Sequence, residues 1–257
     1  MRVTLVPSSI TPDGGEEPGQ YLITYLINDT LAIDAGCLGL YGTPQQQARV
    51  RHVLISHTHI DHTASLSIFV ENVFEAKADC VTIHGSDAVL ESLQADLFNN
   101  RTWPDFVALS AGPTPLLRLE RLEPYRPVEF EGVRVVPVPV DHVVPTLGFV
   151  VSDGRATVVI ASDTGPTDDL WRVANAAPDL AAVFLEASFP ESMSGLAAKA
   201  KHLTPALFGV EVGKLARPVR VIAVHLKARF RAEITAEIHA LRLPNVEIGR
   251  YGTPYEW

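Results

Sequence analysis

Cysteine is nearly absent, with Cys37 and Cys80 the only two in 257 residues. Two cannot build a disulfide framework, and they lack metal-ligand spacing, so both read as buried free thiols in a protein of the reducing cytoplasm. Basic residues are also scarce. Lys plus Arg number 21 against 30 Asp plus Glu, a formal charge of -9, which argues against affinity built on neutralising a nucleic-acid backbone. No apolar run reaches the ~20 residues of a membrane-spanning helix. The run 1–7 is too short for a signal peptide and predicts a first strand instead. No Ser/Gly-rich linker, low-complexity tract or internal repeat divides the chain, so 1–257 is expected to be one domain. What is present in quantity is core material, 47% hydrophobic residues against 20% charged.

The stretch with the densest chemistry is Val53-Leu54-Ile55-Ser56-His57-Thr58-His59-Ile60-Asp61-His62, a β-type run that empties into three histidines and an aspartate. In extended chain alternate side chains share a face, so His57, His59 and Asp61 can converge while His62 turns to a neighbouring point. Imidazole and carboxylate are the ligands of zinc and similar divalent ions. Just upstream, Asp34 closes a strand before Ala35-Gly36 and is expected to steady the histidine loop through its amides rather than to bind metal.

The rest of the chain alternates short strands with helices. Strands are expected at 21–27 and 31–34 around an Asn28-Asp29 turn, with a Gly/Pro-bearing loop at 11–15 before them. A short helix is expected from 63 to 70, a strand at 80–84, and a helix at 87–98 capped by Ser86. His84 ends its strand much as His57 does, yet stands alone, and reads as a surface or supporting histidine. Strands Val128–Phe130 and Val133–Val140 flank Glu131-Gly132, and 147–151 and 156–162 flank Asp153-Gly154. A helix from 168 to 176 with Thr167 as its cap, a strand Leu180–Glu186, and a helix opening at Thr204-Pro205 follow. The last elements are a strand at 219–224, a helix at 232–243 and a strand Val246–Ile248.

Four apolar runs therefore end in metal-type residues: the histidine loop, His142, Asp163 and His225. The expected partition is His57, His59 and His142 on one ion and Asp61, His62 and His225 on a second, with Asp163 bridging. Two ions ~3.5–4 Å apart can activate water and clamp the oxygens of a phosphoryl group. The donors suit zinc or a similar divalent ion such as manganese or iron(II), and no organic cofactor is required.

This ordered set resembles the metallo-β-lactamase superfamily, which implies an α/β fold, an αββα sandwich with the site at its edge. More narrowly, His57-Thr-His-Ile-Asp-His-Thr-Ala-Ser-Leu66, Leu97-Phe98-Asn99 with Trp103-Pro104-Asp105-Phe106, Ser162-Asp163-Thr164-Gly165-Pro166, Lys201-His202-Leu203-Thr204-Pro205 and His225-Leu226-Lys227 resemble the class II 3',5'-cyclic-nucleotide phosphodiesterases. Ala228 departs from that pattern, where a proline is more usual. The resemblance implies zinc and cyclic AMP or cyclic GMP as substrates. It implies for His202 a catalytic role beside the scissile phosphate, where the residue pattern alone also admits a plain helix-flanking histidine. It admits a homodimer.

Asp61 is expected to orient the attacking water as well as to serve as a ligand. Trp103 and Phe106 are expected either to hold a planar base or to pack a loop on the core. Lys227 and Lys201 are candidates for phosphate contact. The competing functions are a tRNA-processing endonuclease of the same fold, a thioester, lactone or lactam hydrolase, and a metal-binding module without turnover. The acidic charge opposes the first, and the full ligand set with His202 opposes the last.

Overall fold

A computed structural model describes residues 1–8 and 22–257. The loop expected at 11–15, and Tyr21 at the expected start of the second strand, lie outside the described residues. Strands β1 (Arg2–Leu5), β2 (Tyr25–Ile27), β3 (Leu31–Ile33), β4 (His52–Leu54), β5 (Val81–Gly85) and β6 (Leu117–Arg121) form one sheet. The last strand, β14 (Pro254–Glu256), joins it beside β1, giving the order β14-β1-β2-β3-β4-β5-β6. Strands β7 (Val128–Phe130), β8 (Val133–Val140), β9 (Thr146–Ser152), β10 (Thr157–Ile160), β11 (Leu180–Glu186), β12 (Arg220–Val224) and β13 (Val246–Ile248) form the other, in the order β13-β12-β11-β10-β9-β8-β7.

Alternation sorts the side chains into layers. In β10 and β11, Val158, Ile160, Ala182 and Phe184 face the other sheet, where they meet Ile33, Leu54 and Tyr25. Their neighbours Val159, Val183 and Leu185 face outward, beneath Leu170, Phe208 and Ile234 of the helices Asp169–Ala176, Pro205–Val212 and Arg231–Ala240. The first sheet repeats the pattern. Ala32, Val53 and Ile83 pack outward on Phe69 and Val89, from the helices Leu66–Val73 and Asp87–Ser92. Helix, sheet, sheet, helix is the expected αββα order.

Each sheet is antiparallel on one side and parallel on the other. Strands β3 to β6 run parallel, as do β10 to β13, and parallel neighbours need crossovers, here the outer helices. Since β8 and β10 are both antiparallel to β9, β8 runs in the same direction as β10, β11 and β12. Their carboxyl ends therefore reach one edge, which is why distant residues 142, 163, 186 and 225 become neighbours.

The hairpin signals hold. Asn28 and Asp29 have φ of 49° and 61°, and Glu131 and Gly132 have 49° and 84°, the left-handed pairs that a two-residue turn requires. Phe184 is buried between the sheets, with ring centroids 5.8 Å from Tyr25 and 5.6 Å from Tyr255. Phe184→Ala is expected to cost about 3–5 kcal/mol, as an aromatic-sized core deletion does, read from the midpoint of denaturant unfolding.

Several expectations need correction. His84 is not at the surface but 2% exposed, its Nε2 3.0 Å from His52 Nδ1 and its ring 4.8 Å from Phe130. Burial, with His52 beside it, pushes its imidazole down to about 3. Thr167 does not cap the helix Asp169–Ala176, whose N-cap is Asp168; its amide donates instead to the buried Glu211 carboxylate at 3.2 Å. The helix expected over 87–98 is α-helical to Ser92 and continues as a π turn over Leu93–Leu97. Among the described residues no helix is long and apolar enough to cross a membrane.

Candidate metal centre

The histidine loop leaves β4 as irregular chain with a bend at Ser56, then winds after His59 into a short helix, Ile60–Thr63. Asp61 and His62 thus sit on a helical turn rather than in an extended run, and that change of backbone separates the loop's side chains into two groups. The turn is possible because Gly36 lies against it. A Cβ on Gly36 would come 2.0 Å from the Asp61 carbonyl oxygen, so no larger residue fits there. Three non-glycine residues beside the cluster, Asp34, Ser162 and His225, have φ of 60°, 58° and 56°. Each closes a strand with a left-handed kink, a conformation L-residues adopt at a cost that surrounding structure must offset.

Two groups of ligand-competent atoms result, each within 4.8 Å of one another: His57, His59, His142 and Asp163, and Asp61, His62, Asp163 and His225. Asp163 belongs to both. Its Oδ2 lies 3.7 Å from His57 Nε2, while its Oδ1 lies 3.3 Å from His62 Nε2 and 3.2 Å from His225 Nε2. His59 Nδ1 is 3.0 Å from His57 Nε2 and 3.3 Å from His142 Nε2, and His225 Nε2 is 3.4 Å from Asp61 Oδ2. A tetrahedral site with zinc–ligand bonds of ~2.0–2.1 Å has ligand–ligand edges of roughly 3.3 Å. The spacings match such edges. Moreover, among the described residues His62 Nε2, His225 Nε2 and Asp163 Oδ1 are buried with no hydrogen-bond partner, a costly arrangement in a protein interior unless an ion completes it. The residues therefore fit a pair of divalent ions.

Outer partners fix which nitrogen faces inward. Ser56 Oγ lies 3.1 Å from His57 Nδ1, and Asp34 Oδ2 lies 2.7 Å from His62 Nδ1. The Lys201 carbonyl lies 3.1 Å from His142 Nδ1, and Ser188 Oγ 3.0 Å from His225 Nδ1. Four rings are thereby turned to present Nε2, and His59 presents Nδ1. Asp34 also accepts from the Ser56 amide at 2.7 Å and its hydroxyl at 2.8 Å, which is the loop-steadying role expected of it.

The electrostatics differ between the groups. Burial, reinforced by neighbouring imidazoles, pushes His57 down to about 2 and also lowers His59 and His142. The shifts favour the neutral imidazole, the form that binds a metal ion. In the other group burial opposes charge, but Asp163 lifts His225 to about 9, and Asp163 with Asp34 raises His62. Burial likewise opposes ionisation of Asp163, and His225 and His62 overcome it, holding that carboxyl well below its ordinary value. Binding a cation at the second group would release the protons those histidines hold.

A third constellation adjoins these, formed by Asp163, Glu186 and His202. His202 Nδ1 lies 2.7 Å from Glu186 Oε1, and the His202 ring stands 5.0 Å from His142 and 5.7 Å from His225. Glu186 also accepts from the amides of Thr164, Ser188 and Leu203 at 2.9, 3.2 and 3.2 Å. Sequence reasoning missed Glu186. Its signal was available, because it ends the apolar run Leu180–Glu186 as Asp163 ends another.

The expected substrate contacts fare unevenly. Lys227 Nζ is 3.6 Å from Asp61 Oδ2, at the centre. Lys201 instead pairs with Asp141 at 2.6 Å. Phe106 is 3% exposed and stacks on Phe98 at 5.4 Å, in the core under the first sheet, and Trp103 packs against that same core. The base-holding expectation for Phe106 is thus corrected, while Trp103 is half-buried and lies away from the clustered histidines, against the outer core of the first sheet. Trp103-Pro104-Asp105-Phe106 fastens a loop, with Asp105 capping the short helix Phe106–Leu109.

Comparison with known proteins places this geometry. A family model described as the beta-lactamase superfamily domain matches residues 35–226. No protein of curated function matches the sequence. Among solved structures, unliganded yeast PDE1 is similar at 18% identity and TM-score 0.77 over 98% of each chain. The metallo-beta-lactamase fold protein YhfI from Bacillus subtilis is similar at 19% and 0.73 over 99% of each. The short form of human tRNase Z, ELAC1, is similar at 15% and 0.65, over 100% of this chain and 99% of that one. The αββα sandwich, the ligand-lined edge and a family model that spans most of the chain agree, and the chain belongs to the beta-lactamase superfamily, with the metallo-β-lactamase hydrolase fold.

Proposed function

We propose that this protein is a two-metal phosphodiesterase that opens 3',5'-cyclic nucleotides to 5'-monophosphates. The observation that carries the reading is Asp163, which offers one carboxylate oxygen to each of two histidine-rich groups. His57, His59 and His142 would hold one ion, Asp61, His62 and His225 the other, and Asp163 both. Nitrogen-rich donors suit zinc, with manganese or iron(II) compatible. Bound there, two such ions polarise phosphoryl oxygens and make water nucleophilic near neutral pH.

The chain's own groups supply the rest. Lys227 brings an ammonium to the edge where a phosphate would sit. His202 Nδ1–H donates a hydrogen bond to the Glu186 carboxylate, so Nε2 is the atom through which His202 can hand a proton to the departing ribose 3' oxygen. Likeness to yeast PDE1 supports the phosphodiesterase reading. Likeness to human tRNase Z supports an endonuclease instead, but the net charge of -9 offers little of the basic surface that a tRNA requires.

Two outcomes are expected. Elemental analysis of zinc-replenished protein should give two ions per chain; a value that stays at or below one defeats the binuclear assignment. In a panel of cyclic AMP, cyclic GMP, a tRNA precursor, a thioester and a lactam, the cyclic nucleotides should turn over best. Reaction in ¹⁸O-labelled water should put the label on the phosphate of a 5'-monophosphate, and a 3'-monophosphate would place the broken bond wrongly. Efficient cleavage of the thioester or the tRNA precursor without cyclic-nucleotide turnover would overturn the reading.

A further inference from the structure

Beside the metal-type cluster lies a cavity of about 260 Å³, lined by Asp61 and His225 on one side and by Phe189, Leu226, Lys227, Ala228, Arg229 and Phe230 on the other. A larger cavity of about 500 Å³, between Tyr125, Arg134 and Arg172 on the outer face of the second sheet, contains none of the clustered histidines. The smaller one is continuous with the chemistry. Its walls combine two aromatic rings with an ammonium and a guanidinium, a mixture suited to a flat heteroaromatic group that carries a negative charge.

The two aromatic loops are built as one unit. Phe189 follows β11 and Phe230 follows β12. The loops are tied by backbone bonds from the Ala187 amide to the Val224 carbonyl at 3.1 Å and from the Lys227 amide to the Ser188 carbonyl at 3.3 Å. The Phe230 amide donates to the Lys227 carbonyl at 2.8 Å, closing the turn Ala228–Phe230. The Phe189 ring stands 5.5 Å from His202, in an edge-on contact. The exposed Arg229 guanidinium lies 5.7 Å from the Phe230 centroid. Both residues are part-exposed and line the cavity, in contrast to the buried Phe106.

We infer that Phe189 and Phe230 form the subsite for the nucleobase, which places the phosphate at Asp61 and His225 within reach of Lys227. The inference rests on the mononucleotide reading above and makes these two rings the specificity-determining residues of that site. A base held against Phe189 is also a base held next to His202. The cavity's size, near the lower bound of ordinary small-molecule sites, roughly 300 Å³, suits one mononucleotide and not a folded RNA.

The test is equilibrium binding of 5'-AMP and of ribose 5-phosphate to zinc-loaded protein, in the unaltered chain and in F189L and F230L. Leucine keeps apolar volume where Phe230 packs on the outer core, and retained ribose 5-phosphate affinity reports an intact phosphate site. Unaltered protein should bind 5'-AMP about 5- to 150-fold more tightly than ribose 5-phosphate, the range that base–aromatic stacking supplies. Each variant should lose at least about fivefold of that preference while ribose 5-phosphate binding stays the same. A preference that survives in both variants, or equal binding of the two ligands by unaltered protein, overturns the subsite. Turnover separates the two readings. Cyclic AMP hydrolysis with an unchanged preference in the variants sinks the subsite and spares the reaction; no hydrolysis with the preference lost in the variants sinks the reaction and supports the subsite.

Discussion

Asp163→Ala is expected to empty both metal positions together and to reduce cyclic-nucleotide hydrolysis by more than ~10⁴-fold, the scale on which losing a nucleophile or its activator acts. The carboxylate is 2% exposed and its two oxygens face different histidine groups at 3.2 to 3.7 Å. Removing it leaves His62 Nε2 and His225 Nε2, already without hydrogen-bond partners among the described residues, facing a void, and leaves any remaining cations with one less negative charge between them. His59→Ala supplies the contrast. His59 belongs to the first group alone, so that variant should keep about one ion. Elemental analysis of both proteins after zinc replenishment decides the matter. Two ions retained in the Asp163 variant, or equal losses in the two variants, would end the bridging assignment, while an unchanged circular dichroism spectrum shows that the fold is not the cause.

Much of this was legible because the motif and the strand periodicity agree. The alternation in Val133–Val140 and the apolar run Leu180–Glu186 gave those strands their bounds; β8 alternates in burial over its first five residues, whereas β11 is buried along nearly its whole length. The ligand set was legible for a related reason. A histidine or aspartate that ends an apolar run lies at a sheet edge, and in this topology β8, β10, β11 and β12 end at the same edge. The same rule misled at His84. It too closes an apolar run, but it lies on the inner face of its sheet, where Phe130 from the second sheet covers it. Nothing local in the sequence reveals that a strand from the other sheet crosses there.

Other misses have similar causes. Phe106 packs on Phe98, eight positions earlier, and both belong to one core, so an aromatic pair bracketing a proline is ambiguous until the facing layer is known. Strands β6 and β14 were not expected. Leu117–Arg121 has three charged residues in five, all three exposed, and Pro254–Glu256 is an edge strand whose pairing partner, Arg2–Leu5, is at the other end of the chain. Glu186 is a different case. An acidic residue at the end of a buried strand is a signal, but its four hydrogen bonds come from Thr164, Ser188, His202 and Leu203. Only the assembled edge brings those donors together.

His202→Ala is expected to leave two ions bound and to lower kcat for cyclic AMP by roughly 10²–10⁴-fold, as loss of a positioned proton donor does. Its Nδ1 is committed to Glu186 at 2.7 Å, and its ring adjoins His142 and His225 without belonging to either of the two larger ligand groups. Glu186→Gln would be a poor substitute for this experiment. Glu186 Oε2 accepts from the Ser188 and Leu203 amides, and an amide nitrogen in that place would set donor against donor, disturbing the loop for reasons unrelated to proton transfer. The leaving group offers the cleaner discrimination. The ribose 3' oxygen departs as an alkoxide that needs a proton, whereas 4-nitrophenolate departs without one. A phosphodiester with the latter leaving group should therefore lose far less in the alanine variant than cyclic AMP does. Equal losses on both substrates would assign His202 to charge stabilisation or to structure, and loss of metal would make it a ligand; either result removes it as the proton donor.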